Sequence, residues 1–195
     1  MNTITNIDQL DLDKTYSYAD YLLWKFKERV ELFKGKILKM SPAPSRRHQE
    51  ISRNLNRALD HFFFNKPCKL YYAPFDVRLP RQSKEDKEIY TVVQPDLCII
   101  CDENKLDDKG CIGAPDLVIE ILSPGNSKKE MKDKLELYEE AGVREYWIAD
   151  PNQESILIYV LENGTYRVKK PVVDDFVNSQ IFPELRFHTN DIFNE

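Results

Sequence analysis

Apolar and polar positions follow two alternating periods along the chain, and the switches between them predict its elements. Apolar runs at residues 30–33 and 37–40 flank Lys34-Gly35-Lys36 and predict a β-hairpin. A short helix is expected before it, over residues 17–26. Ser41-Pro42-Ala43-Pro44 closes the hairpin, and Ser45 then caps a long helix running to about Phe64. Strands are expected at 70–72, 75–79, 92–101 and 117–122, with a charged loop over 81–88. A second helix spans Lys128–Ala141 and stops at Gly142. Strands at 145–149, 155–160 and 166–170 follow, the last two joined by the turn Glu162-Asn163-Gly164. This order describes an α/β fold with a central sheet and few helices. No repeat or linker divides residues 1–195, so a single domain is expected.

The run Leu117-Val118-Ile119-Glu120-Ile121-Leu122 is apolar on both faces, the mark of a buried central strand. Glu120 shares a face with Val118 and Leu122, where a bare carboxylate is costly unless it is paired or bound to a metal. The preceding strand shows the same anomaly, with Asp96 on the face of Cys98 and Ile100. Residues 102–114 are long enough for an antiparallel return, which would set Asp96 beside Glu120. Each acid alone reads as a buried ion pair or a strand-end cap. The two together also suit one Mg²⁺, which takes oxygen ligands and keeps several waters.

The helices add two residues to this picture. Stepping about 100° per residue places Lys134 inside the apolar arc of Met131, Leu135, Tyr138 and Ala141. Lys128, Lys129 and Lys132 fall on the polar side. Lys134 is therefore either a snorkelling lysine or a partner for a buried acid. In the first long helix, His48 falls in the arc of Ile51, Leu55, Ala58, Leu59 and Phe62. It reads as a hydrogen-bonded core histidine, or as a contact for phosphate or water at the helix N-terminus. Arg46, Arg53 and Arg57 lie on the opposite face.

Composition sets the limits. With 195 residues, 42% of them hydrophobic, the chain can bury a substantial core, which excludes fibrous, disordered and disulfide-stapled classes. No apolar run is long enough to span a bilayer, and residues 1–8 lack the pattern of a secretory signal; a cytoplasmic protein without membrane contact is expected. Of the four cysteines, Cys98 and Cys101 are spaced like zinc ligands. On a strand, however, residues three apart point to opposite faces, so ordinary buried thiols are expected. The net charge of −5 does not suggest a nucleic-acid binder. Residues 25–57 nevertheless hold ten Lys and Arg against three Glu, a concentration compatible with either a phosphate-facing patch or a solvated face.

A proline-aspartate on one strand, a glutamate on the next and a nearby lysine resemble the PD-(D/E)XK nuclease superfamily. The closer resemblance, over residues 16–193, is to a restriction-endonuclease-like family of bacterial proteins within it. It rests on Met40-Ser41-Pro42-Ala43-Pro44-Ser45 followed by His48, on Gln94-Pro95-Asp96-Leu97, and on Gly113 to Pro124. Gly142-Val143-Arg144-Glu145-Tyr146-Trp147 and Asp150-Pro151 complete the match. The resemblance implies a restriction-endonuclease-like core, with a central mixed β-sheet flanked by helices and additional β-hairpins. It also implies Mg²⁺- or Mn²⁺-dependent endonuclease activity on nucleic acid, taken as DNA. Asp96, Glu120 and the carbonyl of Ile121 would hold the metal, and Lys134, Glu31 and His48 would share the site. The lysine usually found two residues after the glutamate is replaced by Leu122, and Lys134 would substitute for it. Arg46, Arg53 and Arg57 would supply backbone contacts to the nucleic acid. A non-catalytic nucleic-acid-binding or assembly domain of the same fold is the alternative, a zinc-stabilised interaction module is a second, and a homodimer is left open.

Overall fold

In a computed structural model, the protein is described over residues 3–40, 43–124 and 127–194. The Ser41-Pro42 half of the loop expected after the hairpin lies outside them. In chain order, a short helix α1 (Tyr18–Tyr21) precedes the hairpin β1 (Val30–Phe33) and β2 (Lys36–Lys39), and α2 (Arg46–Phe63) follows. Next come β3 (Lys69–Tyr72), β4 (Val77–Arg78), β5 (Val92–Val93), β6 (Leu97–Ile100), β7 (Leu106–Asp107), β8 (Gly110–Ile112) and β9 (Leu117–Ile121). After α3 (Lys128–Ala141), the chain forms β10 (Glu145–Asp150), β11 (Ser155–Glu162), β12 (Thr165–Val168) and β13 (Val172–Val173). It ends in β14 (Phe176–Asn178), β15 (Arg186–His188) and α4 (Asn190–Phe193).

The central sheet runs β12-β11-β10-β9-β6-β3, with β13 on β11. It is mixed: β9 pairs antiparallel with β6 (Leu97 opposite Ile119) and parallel with β10 (Glu120 opposite Ile148). The predicted antiparallel return is therefore present, and β9 is buried on both faces. Ile119 and Ile121 pack with Leu97, Ile51, Leu55 and Leu59 under α2. Val118 packs on the other side with Cys98, Ile100, Leu137 and Tyr138, under α3. The long helices end as the pattern requires. The Ser45 hydroxyl caps α2, the Ser127 hydroxyl caps α3, and Gly142 terminates α3 in the left-handed region at φ 85°.

A second sheet, β2-β1-β5-β4-β8-β7, lies alongside and carries the hairpin. It corrects the expectation of one strand over 92–101. That run breaks into β5 in one sheet and β6 in the other, because Pro95 has no N–H for a ladder and restricts the residue before it. Residues 102–114 are likewise more than a return loop, since β7 and β8 within them join the second sheet. The expected strand over 75–79 shortens to Val77–Arg78. The helix expected over 17–26 ends after Tyr21, where the backbone turns to pair with Ile4 through the Ile4 N–H to Leu23 and the Lys25 N–H to Ile4.

The cysteines also need correction. Cys68 and Cys101 form a disulfide between the approach to β3 and the end of β6, while Cys98 and Cys111 are buried thiols. Cys98 and Cys101 do face opposite sides of the sheet, so no zinc site forms from the pair. At the C-terminal end, the fully buried Glu145 accepts from Trp147 Nε1 (2.8 Å), Ser179 Oγ (2.7 Å) and the Ile181 N–H (3.2 Å). This carboxylate fastens the segment after β14 to β10. Among the described residues, no helix is long and apolar enough to cross a membrane.

Candidate active site

Four elements, β1, α2, β9 and α3, and the segment just before β6 bring their charged side chains to one cleft at the junction of the two sheets. Asp96 stands just before β6, directly after the Pro95 break, with its carbonyl accepting from the Ala73 N–H beyond β3. Its Oδ2 accepts from the Ile121 N–H at 2.8 Å and lies 3.3 Å from His48 Nε2. The neighbouring strand β9 thus uses its own backbone to aim Asp96 at the end of the strand that carries Glu120. His48 occupies the first turn of α2, its N–H bound to the capping Ser45 hydroxyl. Its Nδ1 is buried and makes no hydrogen bond among the described residues. Burial disfavours the imidazolium, but the hydrogen bond and charge of Asp96 outweigh it, so the His48 pKa is raised.

Helix α3 contributes two groups one turn apart. Lys134 Nζ reaches Glu120 Oε1 at 2.9 Å, and the Tyr138 hydroxyl donates to the same oxygen at 2.7 Å. The Lys134 amine also lies 3.6 Å from Glu31 Oε2, from β1. Glu31 is buried and accepts from the Gln94 N–H at 2.8 Å. Burial pushes Glu120 up to about 7; Lys134 pulls the other way, and the charges of Asp96 and Glu31 add to the rise. Burial opposes the Lys134 charge, yet Glu120 and Glu31 raise its pKa, so the amine is held as an ammonium.

The structure therefore brings together Asp96, Glu120, Lys134, Glu31 and His48, all lining or bordering a cleft of about 100 Å³ beside Ile121. Arg46, Arg53 and Arg57 are not among its walls. They are exposed on α2, with Arg46 paired to Glu50 at 2.7 Å. The cleft instead takes its peripheral cations from Arg29 and Lys39. Both belong to the basic stretch, but nothing in their spacing set them apart from its other members. Gln94, next to the motif proline, belongs to the cleft as well: its Oε1 accepts from Arg29 at 2.8 Å and its Nε2 donates to Asp76 at 2.8 Å. Tyr138 carried a usable signal, since it lies four residues after Lys134 in the same arc.

A family model described as "Putative restriction endonuclease", Uma2, matches residues 18–190. The chain belongs to the Uma2 family. No curated protein matches it. Among solved structures, it is similar to the crystal structure of a putative nuclease belonging to DUF820 from Anabaena variabilis ATCC 29413. The two are 20% identical with a TM-score of 0.69, over 91% of this chain and 97% of the other, which establishes a shared fold. As in the expected restriction-endonuclease-like core, the central sheet of this Uma2 chain is mixed, with α2 and α3 on opposite faces.

The donor set of the site suits a hard divalent cation. Three carboxylates crowd one ammonium, and among the described residues no hydrogen bond reaches Asp96 Oδ1 or Glu120 Oε2. No three His, Cys, Asp or Glu side chains among the described residues form a closed metal-binding group. Two carboxylates with room for water are what Mg²⁺ takes, whereas a structural Zn²⁺ needs a full protein tetrahedron.

Proposed function

We propose that the chain is a Mg²⁺- or Mn²⁺-dependent endonuclease that hydrolyses phosphodiester bonds of DNA. The observation that carries this reading is the meeting of Lys134 with Glu120. An amine from α3 enters the acidic cleft although Leu122 occupies the usual lysine position on β9. Asp96, Glu120 and the carbonyl of Ile121 would hold the metal. A divalent cation held there polarises a phosphate oxygen and acidifies bound water.

The protein's own groups have separate tasks. The Ile121 N–H and His48 fix the Asp96 carboxylate, so one of its oxygens is committed and the other remains open. Tyr138 and Lys134 commit Glu120 Oε1 in the same way. Lys134 holds an ammonium where charge develops on the phosphoryl oxygens and positions the attacking water, without reorganising as the reaction proceeds. Glu31 sits behind Lys134 and orients it. His48, at the first turn of α2, borders the cleft and would act on the phosphate through Asp96, which its Nε2 contacts. Arg29 and Lys39 at the cleft, and Arg46, Arg53 and Arg57 along α2, would neutralise the nucleic-acid backbone.

The test is cleavage of single-stranded and duplex DNA and RNA with Mg²⁺ and Mn²⁺, run beside Glu120→Gln. Metal-dependent cleavage of DNA that vanishes in Glu120→Gln is expected. Binding without cleavage under every metal would instead indicate a non-catalytic nucleic-acid-binding domain.

A further inference from the structure

Beside the carboxylate cleft lies a second cavity of about 290 Å³, walled by Tyr21, Trp24, Phe26 and Pro74 and sharing Arg29 and Gln94 with the cleft. Its aromatic wall is continuous. The Trp24 ring lies 5.4 Å from Tyr21 and 5.7 Å from Phe26, the latter nearly parallel at 27°. Tyr21 and Phe26 are only partly buried, and Trp24 between them is 9% exposed, so the two outer rings present most of the aromatic surface. The wall is well supported, because Tyr16 packs edge-on behind Trp24 at 5.3 Å and Lys25 bonds back to Ile4 through its backbone.

Gln94 joins this cavity to the reacting groups. Its Nε2 donates to the Tyr21 hydroxyl at 3.2 Å, its Oε1 accepts from Arg29, and its backbone N–H holds Glu31, the partner of Lys134. A guanidinium held in place thus stands on the boundary between an aromatic pocket and the acidic cleft.

We propose that this cavity is a nucleobase subsite: it receives an unstacked base of a nucleic-acid strand lying in the cleft, against Tyr21, Trp24 and Phe26. The proposal rests on the nuclease reading and narrows its substrate class to strands that can present an unpaired base beside the scissile phosphate. An aromatic pocket takes any base through its π-face, while Arg29 takes the phosphate that ties that base to the strand. Recognition of an apolar small molecule would not require a cation shared with the phosphate cleft. The rim residues Lys27 and Glu28 offer a donor and an acceptor to a base edge.

The two tryptophans make the test direct. Trp147 is fully buried under α2, so a change in tryptophan emission on binding reports Trp24. The protein is titrated, in EDTA to prevent cleavage, with a short oligothymidylate and with the same strand carrying abasic sites. The expected result is saturable quenching by the intact strand and affinity about tenfold to a hundredfold above that for the abasic strand. Phe26→Leu, which keeps apolar packing but removes a π-face, is expected to reduce that preference while leaving abasic affinity unchanged. Equal affinity of the wild type for the two strands overturns the proposal without any variant, as does a full preference retained in Phe26→Leu. If the wild type still cleaves DNA with Mg²⁺ or Mn²⁺ in those cases, the nuclease reading stands and only the base pocket falls. Neither binding nor cleavage by the wild type overturns both.

Discussion

Replacing Lys134 with Met tests the chemistry most sharply. The variant keeps the length and apolar packing of the stem and deletes the ammonium, which is 11% exposed and lies 2.9 Å from Glu120 and 3.6 Å from Glu31. Removing one partner of a buried ion pair costs about 3–5 kcal/mol when the other stays charged. Glu120, already pushed up to about 7, takes up a proton instead, so the loss stays below that bound. At about 2–4 °C per kcal/mol for a chain of this size, the melting temperature falls by less than roughly 20 °C and the fold survives. The loss of turnover is larger: deleting a preorganised electrostatic stabiliser costs about 10²–10³-fold, or roughly 3–4 kcal/mol of barrier. Metal affinity persists, because Asp96, Glu120 and the Ile121 carbonyl are retained and the loss of a neighbouring positive charge offsets the proton that Glu120 must give up. The assay compares turnover with metal affinity, from thermal shifts, in the same preparation. Near-normal cleavage by Lys134→Met, beside an inactive Glu120→Gln, would make Lys134 a structural partner of Glu120 only and refute the mechanism.

Millimolar Mg²⁺ or Mn²⁺ is expected to raise the melting temperature by mass action, and Asp96→Asn or Glu120→Gln to abolish the rise. Asp96→Asn should melt higher than the wild type in EDTA, since it relieves repulsion with Glu120, whereas Glu120→Gln strands the Lys134 ammonium and should melt lower; equal metal responses in all three proteins would contradict a shared site. Replacing Arg46, Arg53 and Arg57 together with Gln should flatten the salt dependence of nucleic-acid binding by roughly 0.7–0.9 in log–log slope per lost contact, whereas an unchanged slope would make this side of α2 a solvated face. Glu145→Ala strands the Trp147 and Ser179 donors in the interior at about 1–3 kcal/mol each, so the urea midpoint should drop markedly. A small change there would mean that the C-terminal segment is held by its apolar contacts alone.

Local order was legible in the chain itself. Periodicity, the Ser45 cap and the Gly142 stop located α2 and α3 to within a residue, because all depend on groups a few positions apart, as in the bond of the His48 N–H to Ser45. The two-faced apolar run located β9, and the anomalous acids on and before buried strands located Asp96 and Glu120. The wheel placed Lys134 on the buried side of α3. Whether it snorkelled or met an acid was settled only by the tertiary structure, in which β9 presents Glu120 beneath it. The rest depended on partners remote in sequence. Pro95 announced a break, but only the assembled sheets show β5 and β6 parting there and Asp96 meeting the Ile121 N–H, 25 residues away. Gln94 meets Glu31 across 63 residues and Arg29 across 65, so neither the choice of Arg29 as a cleft cation nor the aromatic pocket beside it has any periodic trace. The Cys68–Cys101 bridge and the donors around Glu145 are decided in the same way. Local pattern reports which face of an element is buried, and packing between distant elements decides what that face meets.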